Sequence, residues 1–185
     1  NAVYYDNINF TGPVEKRIDA TINFSWGDSP PIPTSFIGKD NYSVKWTGFV
    51  EAPTTGTYTF YTITDDGVKL WVNGEQIINK WNDQAPTEYS KTINMVAGEK
   101  TALEMQYYER SGGATAILKW EGPSVTKQVV PADKLFHAEE DTTDAPGMVG
   151  AGAVYNRQSN AINDNNRHPG FIQIDNNEVH KIISD

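Results

Sequence analysis

"YTFYTITDDGVKLWVNGE", residues 58–75, decides how this chain is read. Tyr58 and Phe60 share one face before the break, and Val68, Leu70 and Val72 share one face after it. That two-residue period belongs to a strand with one buried side. The stretch closes on Asn73-Gly74, a pair suited to the left-handed dihedrals of a two-residue hairpin turn. Between the strands stand Asp65, Asp66 and Gly67. A turn uses the glycine, and one aspartate can accept from its own backbone. A second adjacent like charge asks for another explanation.

The same period runs outward from there. In "YSVKWTGFV" (42–50) Val44 and Trp46 oppose Ser43, Lys45 and Thr47, and in "TALEMQYY" (101–108) Leu103, Met105 and Tyr107 share a face. "ATAILKW" (114–120) is a further strand. "APTTGT" (52–57) and "VAGEK" (96–100) are turn signals, the latter read as a tight reversal like the Asn-Gly turn. No helical period exceeds about two turns, apart from a short turn of helix expected in "PADKLFH" (131–137). Many short strands at regular spacing predict an all-β, antiparallel sandwich or barrel. After His137 the texture changes: residues 138–152 read as a linker or a strand wrapping the domain edge, 161–170 as polar loop, and 171–183 as a final hairpin turning at Asn176-Asn177. The organisation expected is a sandwich domain over 1–137 and a C-terminal extension over 138–185.

Composition excludes several classes. The chain has 185 residues, 11% of them aromatic, and a net charge of −9, which disfavours nucleic acid and anionic membranes as partners. It contains no cysteine, so disulfides, thiol catalysis and cysteine-ligated zinc are ruled out. No apolar run is long enough for a transmembrane helix, and no signal peptide is evident. His137, His168 and His180 have no metal-ligand spacing, and no nucleophile-elbow, phosphate-loop or zinc motif occurs. The expectation is a binding module and no enzyme.

Ordered blocks carry a family resemblance: "YYDNINFTG" (4–12), "RIDATINFSWG" (17–27), the continuous run 42–81, "LEMQYYERSGGATAILKW" (103–120) and "KQVVPADKLF" (127–136). Together they resemble the PA-fourteen domain, named after the protective antigen of a binary toxin, over roughly residues 3–137. The resemblance implies a β-sandwich. It also implies that in sugar-binding members the aspartate pair, here Asp65 and Asp66, ligates calcium across a cis peptide bond. A second loop would supply further ligands, here between 101–108 and 114–120.

The chemistry fits that implication. Successive strand residues point to opposite faces, so two adjacent aspartates reach one ion only through an unusual backbone. Calcium takes about 6–8 oxygens in flexible geometry. Asp65 and Asp66 give about two to four of these, and carbonyls around Ser111, Gly113 and Thr115 add about two or three. Positions remain for water or for neighbouring sugar hydroxyls. Glu109, Arg110 and Gly112 stand in the second loop as ligand contacts; Arg110 cannot be a metal ligand and is placed to touch a sugar. Trp81, with Asn82, Asp83 and Gln84 behind it, reads either as a packed loop or as a sugar-contacting one.

The sequence therefore predicts a calcium-dependent carbohydrate-binding module of a larger extracellular or cell-surface bacterial protein of adhesin type. It would act as a monomeric unit on glycans or monosaccharides. The alternatives are a spacer or protein-interaction domain braced by calcium, and an accessory domain of a glycoside hydrolase.

Overall fold

The computed structural model describes residues 1–33 and 35–137 in full and, beyond them, the backbone of two strands. The first unit, Asn1–Ala138, holds twelve strands. They are β1 (Ala2–Tyr5), β2 (Pro13–Arg17), β3 (Asn23–Gly27), β4 (Tyr42–Glu51), β5 (Gly56–Asp65) and β6 (Gly67–Val72). These are followed by β7 (Glu75–Lys80), β8 (Thr87–Met95), β9 (Lys100–Glu109), β10 (Ala114–Gly122), β11 (Val125–Val129) and β12 (Leu135–Phe136). One sheet runs β2-β1-β4-β9-β6-β7, with β12 beside β1 on the same edge of β4. The other runs β11-β10-β5-β8, with β3 sharing an edge of β10 with β11. All pairings between these strands are antiparallel, so the all-β antiparallel sandwich stands. A turn of 3₁₀ helix, Ala132–Lys134, occupies the place expected for a short helix.

The alternation of the sequence becomes the core. Val44, Trp46, Tyr58, Phe60, Val68, Leu70, Val72, Leu103, Met105, Tyr107, Leu118 and Trp120 are all buried. Trp120 packs at ring-centroid distances of 5.2 Å from Tyr58 and 6.3 Å from Phe60. Removing one such side chain from water stabilises the fold by roughly 1.5–3 kcal/mol. The Asn73-Gly74 turn joins the paired strands β6 and β7 with φ of 54° and 77°, the left-handed pair expected of it. "VAGEK" differs from its reading as a hairpin-like reversal. β8 and β9 lie in different sheets, so this segment carries the chain across the sandwich.

In the second unit, Glu139–Asp185, the described residues form an antiparallel strand pair, β13 (Ile172–Asp175) with β14 (Glu178–Lys181), where the sequence predicts a hairpin. The linker or wrapping strand over 138–152, the loop over 161–170 and the Asn176-Asn177 turn lie outside the described residues.

Candidate metal and ligand-binding site

Four crossovers between the sheets gather at one end of the sandwich. The chain passes from β3 to β4, from β5 to β6, from β7 to β8 and from β9 to β10, each time changing sheets. The register fixes them to one end: Gly27 faces Ala114, Asp65 faces Thr115, Thr64 faces Thr87, Gly67 faces Tyr108, Val68 faces Lys80 and Tyr42 faces Glu109. Asp65-Asp66-Gly67 is therefore the step from one sheet to the other, not a hairpin turn. Gly67 is required there by close approach, since a Cβ would stand 2.2 Å from Cε1 of Tyr108.

The Asp65–Asp66 peptide bond is cis, as the resemblance implied. The Asp66 carboxylate is 5% exposed and accepts from two neighbouring crossovers. Oδ1 takes the Gln84 backbone N–H at 2.8 Å and Oδ2 takes that of Arg110 at 2.9 Å. The Tyr107 hydroxyl donates to the Asp65 carbonyl at 2.5 Å and lies 3.3 Å from Oε2 of Glu109. Asp65, Asp66 and Glu109 each offer a carboxylate oxygen, and these atoms lie within 4.8 Å of one another.

Glu109 is the member whose position the sequence reading understated. The sequence points to it as a ligand contact on the second loop; it sits in the acidic cluster, fully buried, at the end of β9. Its Oε1 is buried without a hydrogen-bond partner. Burial first, and then the charges of Asp66 and Asp65, push its carboxyl up to about 8. Burial and then Asp66 also raise Asp65. A buried carboxyl with an oxygen left unpaired is costly in the apo fold, and a cation supplies what it lacks. Parity could have revealed this: Leu103, Met105, Tyr107 and Glu109 are alternate residues, so the inward face of β9 ends on a carboxyl.

The remaining expected residues divide by role. Gly113 backs the cluster, because a Cβ on it would stand 3.8 Å from Oδ2 of Asp65, and Thr115 pairs with Asp65 in the ladder. Ser111 and Gly112 are exposed on the second loop. The Gly112 N–H donates to Oδ1 of Asp40 at 3.2 Å, and the Asn41 N–H donates to the Arg110 carbonyl at 3.2 Å. Asp40, on the β3–β4 crossover, was not foreseen, and no local motif marks it.

Gln84, expected to touch a ligand, instead holds the acidic segment in place. Its amide donates to the carbonyls of Thr64 at 3.3 Å and Asp66 at 3.2 Å, while its Oε1 accepts from the Tyr89 hydroxyl at 2.7 Å. Trp81 is half-buried, edge-on to Tyr108 at 4.7 Å and tilted against Phe10 at 5.8 Å, with the Lys69 ammonium 4.5 Å from its ring. This is the packing alternative for Trp81. Asp83 accepts from the Tyr108 hydroxyl at 2.7 Å and pairs with Nε of Arg110 at 2.9 Å, so these two exposed residues tie the β7–β8 and β9–β10 loops together. Those hydrogen bonds hold the Asp83 carboxyl below the usual carboxylate range.

The donor set fits a hard divalent cation. Asp65, Asp66 and Glu109 would hold it, beside the backbone of the Ser111–Thr115 stretch. An all-oxygen set of carboxylates suits hard cations such as calcium, magnesium or manganese, and cysteine and histidine are absent from the cluster.

A family model described as PA14 domain matches residues 1–134. The chain is 45% identical over 136 residues to the anti-sigma-I factor RsgI3 of Acetivibrio thermocellus, covering 74% of this chain and 21% of that protein. Among solved structures, an anti-sigma factor domain-containing protein superposes with a TM-score of 0.72 at 44% identity, over 75% of this chain and 48% of that one. A PA14 sugar-binding domain from an RTX adhesin superposes with a TM-score of 0.55 at 16% identity, over 74% and 97% of the two chains. At that identity the likeness is one of fold. The chain spans about a fifth of the length of the curated relatives it matches.

Proposed function

Since this chain belongs to the PA14 domain family, we propose that it is a calcium-dependent carbohydrate-binding module of a larger protein. The observation that carries the reading is the Asp65–Asp66–Glu109 cluster, with its buried, unpaired Glu109 oxygen, at the mouth where four crossovers meet. Calcium bound there would offset most of the cluster's charge and orient neighbouring loops, and sugar hydroxyls would complete its coordination. The chain's own residues prepare the site. Backbone N–H groups of Gln84 and Arg110 fix the Asp66 carboxylate, Tyr107 fixes the Asp65 carbonyl, and the Asp83–Arg110 pair joins the two loops beside it.

The sugar-binding name of the RTX adhesin domain supports carbohydrate as the ligand. The anti-sigma-I name of the relative at 45% identity supports, beside the adhesin expected from the sequence, a second kind of parent protein, an anti-sigma factor that carries the module. On the carbohydrate reading the module works on the outer side of a cell, where glycans are met.

Calorimetry with calcium, followed by a glycan array in calcium and in chelator, tests the proposal. The paired change Asp65→Ala and Asp66→Ala abolishes both calcium and saccharide binding. Saccharide binding that survives chelator and this double change refutes the reading. Calcium binding without any saccharide binding assigns the ion to bracing a spacer domain.

A further inference from the structure

Phe36 is 96% exposed, and among the described residues it is the one aromatic side chain that stands in solvent. Water-exposed phenylalanine on a loose loop would carry no argument, but the chain on both sides of this one is anchored. Before it, the Ser35 N–H and hydroxyl both donate to the Ile32 carbonyl, at 3.1 and 3.0 Å. After it, the Ile37 N–H donates to the Ser35 hydroxyl at 3.2 Å. Ile32 and Ile37 are buried at 7% and 3% exposure, so the core takes the flanking isoleucines and turns the ring outward.

The same loop is fastened to the candidate site. The Gly38 N–H donates to Asp6 at 3.3 Å, Asp40 accepts from the Gly112 N–H, and Asn41 donates to the Arg110 carbonyl. Phe36 and Asp40 are four positions apart, so their Cα atoms stand within roughly 14 Å. Phe36 thus stands on the β3–β4 crossover, a few residues before the point where that crossover is tied to the second loop of the candidate site.

We propose that Phe36 is a stacking platform for a second sugar unit of a neutral oligosaccharide whose first unit binds at the Asp65–Asp66–Glu109 cation. This rests on the carbohydrate reading and gives its ligand class: a chain longer than one residue. A pyranose has an apolar C–H face that covers an aromatic ring while its hydroxyls stay hydrated, so a single isolated ring is enough. A protein partner would need an apolar patch of several hundred Å², and among the described residues the exposed chain neighbours Pro33, Gly38 and Lys39 do not extend one. The net charge of −9 selects a neutral saccharide over an acidic one.

The test compares the unaltered protein with Phe36→Ala and Phe36→Trp by calorimetry in calcium. The probes are the methyl glycosides of glucose, galactose, mannose and xylose and the corresponding linear tetrasaccharides. The unaltered chain binds a tetrasaccharide more tightly than its methyl glycoside. Phe36→Ala leaves calcium and methyl-glycoside affinity unchanged and weakens the tetrasaccharide about tenfold, equivalent to about 1.4 kcal/mol. Phe36→Trp keeps or improves tetrasaccharide affinity. Equal affinity of Phe36→Ala and the unaltered chain for tetrasaccharide overturns the platform and leaves the carbohydrate reading standing. So does loss of mono- and tetrasaccharide binding by the same factor. An unaltered chain that binds no saccharide in calcium overturns both readings at once.

Discussion

Glu109→Gln keeps the shape of the buried side chain and removes its ability to ionise, which isolates the energetic consequence of the acidic cluster. Folding lifts the Glu109 carboxyl from an ordinary 4.5 to about 8. Between those values the folded chain keeps a proton that the unfolded chain releases, so apo stability is full below about 4.5 and falls as pH rises toward 8. At about 1.36 kcal/mol per pH unit the loss is capped at roughly 5 kcal/mol, and relaxation of the loop end brings it to about 2–4 kcal/mol. Asp65 shifts in the same direction, but its causes are burial and Asp66, so it contributes alike to both proteins. Urea unfolding in chelator from pH 5 to 8.5, followed by tryptophan fluorescence, reads the difference. The unaltered chain loses about 2–4 kcal/mol relative to Glu109→Gln across that range. In calcium, the affinity of the unaltered chain rises about tenfold per pH unit below 8, because the proton must leave before the carboxylate can bind the ion. Glu109→Gln shows a flatter profile and weaker calcium binding at pH 8. Parallel pH curves in chelator, or equal stabilisation of both proteins by calcium at pH 8, refute the reasoning.

Other outcomes follow from the same geometry. Asp66→Ala strands the Gln84 and Arg110 backbone N–H groups and costs about 2–4 kcal/mol in urea unfolding, in chelator as well as in calcium. Gly67→Ala forces a methyl group into the Tyr108 ring and costs about 1–3 kcal/mol by the same assay, with calcium affinity falling as the crossover shifts. Arg110→Ala barely moves the unfolding midpoint, because the pair with Asp83 is exposed, yet an NMR titration finds the Asp83 carboxyl raised toward its usual range. Retention of the low Asp83 value in that variant would show that Tyr108 alone holds it.

Much of the fold was legible because a two-residue period survives from sequence to sheet. Tyr58 and Phe60, or Leu103, Met105 and Tyr107, declare their buried face without any knowledge of what covers it. The Asn73-Gly74 turn was legible for a similar reason, since its dihedrals are demanded locally. "VAGEK" was misread because a short Gly-containing turn looks the same whether it joins neighbours in one sheet or spans two. Glu109 and Gln84 were assigned to ligand contact because their neighbours in sequence are loop residues. Their neighbours in space are the acids of the adjacent crossover.

The sequence alone determined the strands, their inward faces and the aspartate pair, because each depends on residues a few positions apart. The tertiary structure alone decided that four crossovers share one end, that Asp66 is gripped by Gln84 and Arg110, and that the inward-facing Glu109 meets the aspartate pair. The physical reason is the sandwich itself. Sheet order and register bring together carboxylates from β5–β6 and β9 that lie 43 residues apart between Asp66 and Glu109, and no local periodicity encodes that meeting.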